Sequence, residues 1–260
     1  MTGTTSIAGD NRHPKRTQEQ QLRVDLATAF RLAAEFEWTE SVGNHFSAVV
    51  SADEGTFLMN PRWQHFSTIR ASDLMLLNWN DRDTLSRQNP PDRSGWCIHN
   101  RMHALLPNAR VILHIHPPYA TALSCLRDPS LRPIDQVTAR FFNRVAVDLG
   151  FEDVAITEAE GERLAGVMGD RQILMMGNHG VSVAAESVAH AFEELYLFER
   201  ACRTLVLAYG TGQPLNILND QVAETTARGW YGCRVMALNH FYQLQEKLMR
   251  EEMMGEKPAA

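Results

Sequence analysis

The segment Val111-Ile-Leu-His114-Ile-His116-Pro-Pro-Tyr119 sets two imidazoles one residue apart at the end of an apolar run. Val111 to Leu113 reads as a buried strand. Side chains at i and i+2 of a strand share a face, so His114 and His116 emerge together. Pro117 and Pro118 end the strand and suit the opening of a helix over 119–126. Two imidazoles at such a junction suit one divalent cation; two satisfied core or surface histidines are the alternative. A third ligand candidate is His179, in Ile173-Leu-Met-Met176-Gly-Asn-His179-Gly-Val-Ser-Val183. There an apolar strand runs into a turn bracketed by Gly177 and Gly180. Glycine tolerates positive φ and close approach, so this turn can present an imidazole tightly, an exposed turn histidine being the competing reading. Three neutral imidazoles with one or two open positions make a Lewis-acid site rather than a closed structural one.

Periodicity supplies the elements that must position these groups. Residues 18–36 read as an amphipathic helix, with Leu22, Leu26, Phe30 and Ala33 on one face. Short strands over 45–50 and 56–59 flank Ala52-Asp-Glu-Gly55, a hairpin signal. A further strand is expected over 74–79, a helix over 96–106 stopped at Pro107-Asn108, and strands over 144–149 and 173–183. Helices follow over 158–168 and 186–209, and residues from 216 onward form a last helical region broken near Gly229 and Gly232. Residues 1–16 and 253–260 read as flexible tails around one domain, 17–252. Strands interleaved with helices, with an early hairpin, predict a mixed sheet covered by helices on both faces.

Composition sets the outer limits. A chain of 260 residues that is 44% hydrophobic can bury a substantial core as one domain. A net charge of -6, with Arg and Lys scattered among acids, argues against nucleic acid as the main partner. Cys97, Cys125, Cys202 and Cys233 form no Cys-x-x-Cys pair and read as reduced packing thiols of a cytosolic protein. The first residues lack an apolar signal core, and no run approaches the ~18 apolar residues of a membrane helix. A soluble, cytoplasmic protein is expected, without a membrane partner.

Taken in order, the motifs resemble the class II aldolase/adducin family, typified by fuculose-phosphate and ribulose-phosphate aldolases and epimerases. The resemblance runs from about Arg23 to Tyr209. It rests on Gly43-Asn44-His45-Phe46-Ser47, on Asn60-Pro61-Arg62-Trp63 followed by Ile69-Arg-Ala-Ser72-Asp-Leu, and on Ser94-Gly95-Trp96-Cys-Ile-His99-Asn-Arg-Met-His103. The His-x-His pair, Gly-Asn-His-Gly and the helix over 191–207 complete it. The resemblance implies an α/β fold, a three-layer α/β/α arrangement around a mixed, largely antiparallel sheet. It also implies one divalent metal ion per chain on His114, His116 and His179. Zinc is the first expectation, and three imidazoles also accept manganese, iron, cobalt or nickel. Family members are typically tetramers with active sites between subunits, so a homo-oligomer is expected.

The departures from the family shape the chemistry. Sugar-phosphate aldolases carry a glutamate ahead of the His-x-His as acid/base and metal contact; the matching position is Gly95, which can do neither. Their phosphate loops of hydroxyl and glycine residues correspond to 60–63 and 93–95 here, where Ser94 alone survives as a hydroxyl. Gly95 is closer to the adducin-like branch, whose members include proteins without known catalysis. Asn44 and His45 sit where the family approaches substrate, or form a strand-start turn. Arg62 offers a bidentate fork to a carboxylate, or is a solvated surface arginine. Tyr119 is a candidate proton donor, with core packing as the alternative. His99 and His103, on one helix face with Gly95, either replace the missing proton shuttle or are hydrogen-bonded structural groups. The expected activity is a metal-dependent carbon–carbon lyase, decarboxylase or aldolase-type, acting on a small non-phosphorylated hydroxy or oxo acid through a stabilised enolate. An epimerase or isomerase is a lesser option. The alternative class is a non-catalytic adducin-like binding or assembly protein.

Overall fold

Residues 16–150 and 157–254 are described by the computed structural model. Thr17 opens α1 (Gln18–Glu35) with a capping box: its hydroxyl accepts the Gln20 N–H, and the Gln20 side chain accepts the Thr17 N–H. The apolar stripe that includes Leu26, Phe30 and Ala33 is buried. The hairpin β1 (His45–Ser51) and β2 (Thr56–Met59) follows, then β3 (Met75–Asn78). Next come α2 (Arg93–Leu105), β4 (Val111–Ile115), α3 (Pro118–Ser124), α4 (Gln136–Ala139), β5 (Val145–Asp148) and α5 (Glu158–Met168). β6 (Ile173–Met176), β7 (Gly180–Ala185), α6 (Val188–Gly210), α7 (Asp220–Tyr231) and α8 (Val235–Met254) complete the order.

The seven strands form one mixed sheet in the order β3-β2-β1-β4-β7-β6-β5. Every neighbouring pair is antiparallel except β5–β6. Strand alternation divides β4 between the two faces. Val111, Leu113 and Ile115 join Phe30, Phe46, Phe192 and Phe198 in the large core under α1, α6 and α8. Ile112 faces the other way, with Ile98 and Met102 of α2 and Leu164 and Met168 of α5. Each fully buried Leu or Phe contributes roughly 1.5–3 kcal/mol of transfer free energy, so both helical layers are held by burial. The expected three-layer α/β/α architecture with a largely antiparallel sheet is the one observed.

Some boundaries differ from the sequence reading, for identifiable reasons. α2 starts three residues earlier than expected because Asp92 caps it, its Oδ1 accepting the Gly95 N–H at 3.1 Å. Gly95 therefore lies in the first turn of a helix. The single strand expected over 173–183 is a hairpin, β6–β7. Asp135 caps α4, an element too short to leave a periodic signal. α8 continues to Met254, past the boundary expected at 252, while 1–15 and 255–260 lie outside the described residues. Cys97 and Cys202 are buried as packing thiols, whereas Cys125 and Cys233 are exposed; all four are free. Among the described residues, no helix is long and apolar enough to cross a membrane.

Candidate metal centre

His114 is the penultimate residue of the fully buried strand β4, and β7 sets its other partners. Antiparallel register places His114 opposite His45 of β1 on one side and Ser182 of β7 on the other. The His114 ring is buried, and its Nδ1 lies 3.1 Å from the Val181 carbonyl oxygen. A carbonyl only accepts, so Nδ1 carries the proton and Nε2 presents a lone pair. Two residues on, Nδ1 of His116 bonds to the Glu40 carboxylate. That leaves His116 Nε2 free to meet His114 Nε2 at 3.3 Å.

His179 closes the cluster. Its ring centroid lies 5.0 Å from that of His114 and 4.7 Å from that of His116. One ligand atom from each of the three residues falls within 4.8 Å of the others. The turn that presents His179 is built differently from expectation. The positive φ belongs to Asn178, at 55°, and not to the flanking glycines. Gly180 is needed for close approach instead: a Cβ there would stand 2.3 Å from His116 Cδ2 and 2.8 Å from the Ile115 carbonyl oxygen.

The donor set fits a divalent ion. Two imidazole nitrogens that face one another across 3.3 Å need a shared proton or a metal cation between them. That spacing matches the ~3.4 Å edge of a tetrahedron built on ~2.1 Å metal–nitrogen bonds. Burial pushes His114 well below the ordinary histidine value, and the neighbouring imidazoles of His45, His179 and His116 push it further. His179 is lowered to about 4 by burial and by His116, against the opposing pull of Glu40. Both rings are therefore neutral ligands at physiological pH, and the carboxylate on His116 is the outer partner typical of a metal-bound imidazole.

Behind His114 lies a second layer of polar groups. His45 stacks on His114 with centroids 5.0 Å apart and planes 21° apart. Burial lowers it to about 4, opposed by Asp92, whose Oδ1 is 3.7 Å from His45 Nε2. Ser94 Oγ donates to Asp92 at 2.6 Å and lies 3.3 Å from His45 Nε2. A Cβ at Gly95 would meet His45 Cδ2 at 2.7 Å and Met59 Cε at 2.4 Å. The imidazole of His45 thus occupies the space that a side chain at position 95 would need.

His99 and His103 both reach Ser47, and their tautomers follow by elimination. His103 Nδ1 donates to the Ala109 carbonyl at 2.7 Å, so its Nε2 accepts from Ser47 Oγ at 2.6 Å. Ser47 Oγ then accepts from His99 Nδ1 at 2.5 Å, which leaves His99 Nε2 a bare, buried acceptor without a hydrogen-bond partner. Burial lowers His99 well below the ordinary range and His103 to about 4, keeping the chain neutral. His99 abuts His45 edge-on at 5.3 Å and touches the cluster through that ring.

The remaining sequence candidates separate. Asn44, at φ 73°, is buried beside His45; its carbonyl accepts from Asn60 Nδ2, and its own Oδ1 has no partner. Asn60 Oδ1 also accepts the Phe46 N–H, which fastens the loop carrying Arg62 to the site end of β1. The Arg62 guanidinium stacks on the exposed ring of Trp63 at 4.2 Å. Tyr119 is not brought to the imidazoles. It packs against the opposite core, its N–H donates to Glu199 Oε1 at 2.8 Å, and Arg203 covers its ring. Glu40 and Asp92 were missed in the sequence. Glu40 stands 76 residues from the histidine it holds and carries no local signal. Asp92 could have been found as a helix cap three residues before Gly95.

Known proteins share this fold. Residues 24–206 match the family model described as Class II Aldolase and Adducin N-terminal domain. The chain belongs to this family. A putative aldolase class 2 protein of Pseudomonas aeruginosa is 29% identical over 85% of each chain. Decarboxylase NovR of Streptomyces niveus is 25% identical, over 76% of this chain and 72% of its own. Alpha-adducin of Rattus norvegicus is 30% identical over 81% of this chain, which corresponds to 28% of the adducin. Among solved structures, an aldolase II superfamily protein from Pseudomonas syringae aligns with a TM-score of 0.80 at 30% identity, covering 90% of this chain and 95% of its own. An L-fuculose 1-phosphate aldolase from Glaciozyma antarctica shares the fold, with a TM-score of 0.77 at 22% identity over 93% of this chain and 96% of its own.

Proposed function

We propose that this class II aldolase/adducin family member is a metal-dependent carbon–carbon lyase, of decarboxylase or aldolase type, acting on a small non-phosphorylated hydroxy or oxo acid. The observation that carries the reading is the convergence of His114, His116 and His179, two of them with Nδ1 engaged so that Nε2 faces its neighbour. A divalent ion held there, zinc first among the candidates, would supply Lewis-acid polarisation of a chelated substrate oxygen. Position 95 is glycine and His45 fills the space beside it, so no carboxylate projects from α2 to take a hydroxyl proton as aldol cleavage requires. Decarboxylation has no such requirement, and the relative named as a decarboxylase supports that branch.

Asn44, Ser94 and Arg62 are the proposed substrate contacts. Asn44 and Ser94 flank His45 directly; Arg62 follows Asn60, which is tied to Asn44 and Phe46, and its guanidinium suits a carboxylate. His99 is a positioning residue acting through His45. Tyr119, placed on the opposite core, is given no part in the chemistry. The working unit is proposed to be a cytoplasmic homo-oligomer, a tetramer by likeness to the family.

The test is incubation of metal-loaded protein with a panel of hydroxy, oxo and hydroxylated ring acids, scored for carbon dioxide or aldehyde release. Turnover lost in His179→Ala supports the lyase. The likeness to alpha-adducin and the glycine at position 95 favour a second reading, a binding or assembly protein that kept the fold. Silence of the metal-loaded protein across the panel would leave that second reading standing.

A further inference from the structure

On the face of the sheet opposite α2 and α5, a cavity of about 520 Å³ opens between the end of α1, the start of α3 and α6. Its walls are Phe36, Trp38, Tyr119 and Tyr196, with Arg200 and Arg203 at its rim. Tyr196, Arg200 and Arg203 recur at helical spacing, so a helix otherwise devoted to the core turns one aromatic and cationic stripe toward this space. The volume lies in the range of small-molecule sites.

Two acids and two arginines line the cavity, Glu37 and Glu199 against Arg200 and Arg203. Glu199 is its one buried acid, and both carboxylate oxygens are spent on α3: Oε1 accepts the Tyr119 N–H and Oε2 the Ala120 N–H, each at 2.8 Å. Arg203 lies over the Tyr119 ring at 5.5 Å. Neither Arg200 nor Arg203 forms a salt bridge among the described residues. Two exposed guanidiniums that no carboxylate of the described residues holds within 4 Å, set beside aromatic rings, offer a bidentate fork to an anion and flat apolar walls to its body.

We propose that this cavity binds a small aromatic carboxylate, with the carboxylate on Arg200 and Arg203 and the ring against Trp38, Tyr119 and Tyr196. The site is separate from the imidazole cluster and goes beyond the lyase reading. The two are nevertheless joined through the chain, since Tyr119 follows His116 by three residues and Glu199 holds the turn between them.

Benzoate, binding to the full chain followed by calorimetry and by tryptophan fluorescence, is the direct probe. The expected result is about one benzoate per chain, with benzamide and cyclohexanecarboxylate each roughly tenfold weaker because one lacks the charge and the other the flat ring. Arg203→Ala is expected to weaken benzoate by about tenfold, while Arg203→Lys, which keeps charge without the fork, falls between. His179→Ala is expected to leave benzoate affinity unchanged. Failure of benzoate to bind, or equal affinity for benzamide, overturns the proposal. So does binding that survives Arg203→Ala and disappears in His179→Ala, which would place the anion at the imidazole cluster. Matching melting curves for wild type and the arginine variants exclude misfolding as the cause of lost binding.

Discussion

Gly95→Ala tests the steric exchange at the centre of the site. An ideal Cβ at this position stands 2.4 Å from Met59 Cε and 2.7 and 2.8 Å from His45 Cδ2 and Cγ. Carbon atoms are comfortable at about 3.5–4.0 Å, so something must move by roughly an ångström. The methionine end can swing aside. The imidazole cannot do so freely, because it is stacked on His114, abuts His99 and lies beside Ser94. Overpacking of this kind costs about 1–3 kcal/mol, against a gain of roughly 0.5–1 kcal/mol for alanine over glycine within a helix. The clash wins, and a fall in melting temperature of about 2–8 °C is expected for a domain this size. In a His45→Ala background the space is open and only the helical gain remains, so the two substitutions should couple by about 1 kcal/mol or more. Calorimetric melts of wild type, both single variants and the double variant measure this coupling. A Gly95→Ala protein as stable as wild type, or equally destabilised in both backgrounds, would refute the claim that His45 holds this space.

Two further predictions rest on other contacts. Gly180→Ala sets a Cβ against the Ile115 carbonyl and the His116 ring; the backbone cannot yield, so the imidazole must. Affinity for zinc, measured by chelator competition, is expected to drop about tenfold or more by loss of ligand alignment, and unchanged affinity would contradict the placement. Glu199 is raised by burial to about 7 from an ordinary value of 4.5, against the lowering effect of its two backbone hydrogen bonds and of Arg203. A group whose folded pKa is raised contributes stability that is complete below the unfolded value and is lost as pH climbs through the folded one. Wild type should therefore lose up to about 3 kcal/mol between pH 4.5 and 8 from this group. Glu199→Gln should lack that component in denaturant titrations at the two ends of the range, and an identical pH slope in both proteins would contradict it.

The imidazole cluster was legible in the chain because its geometry is local twice over. His114 and His116 share a strand face by period two, and His179 sits in a turn flanked by glycines. Their meeting depends on β4 pairing with β7, a long-range pairing that the family resemblance supplied and spacing did not. Glu40, the Val181 carbonyl and His45's hold on the space beside Gly95 were illegible, since each depends on register between strands or on a loop far away in sequence. Tyr119 reads in the sequence either as a proton donor or as core packing, and the first turn of α3 sets it against the large core of its own chain. His99 and His103 were rightly placed on one face, but only the structure revealed Ser47 between them and the tautomers it enforces.

The central claim is that three imidazoles form a site for one divalent ion. Metal content per chain, measured by elemental analysis on purified protein and on His114→Ala and His179→Ala, tests it most directly. About one ion per chain is expected in wild type, lost in both variants. Wild-type protein that stays metal-free after resupply with zinc, manganese, iron, cobalt and nickel would contradict it.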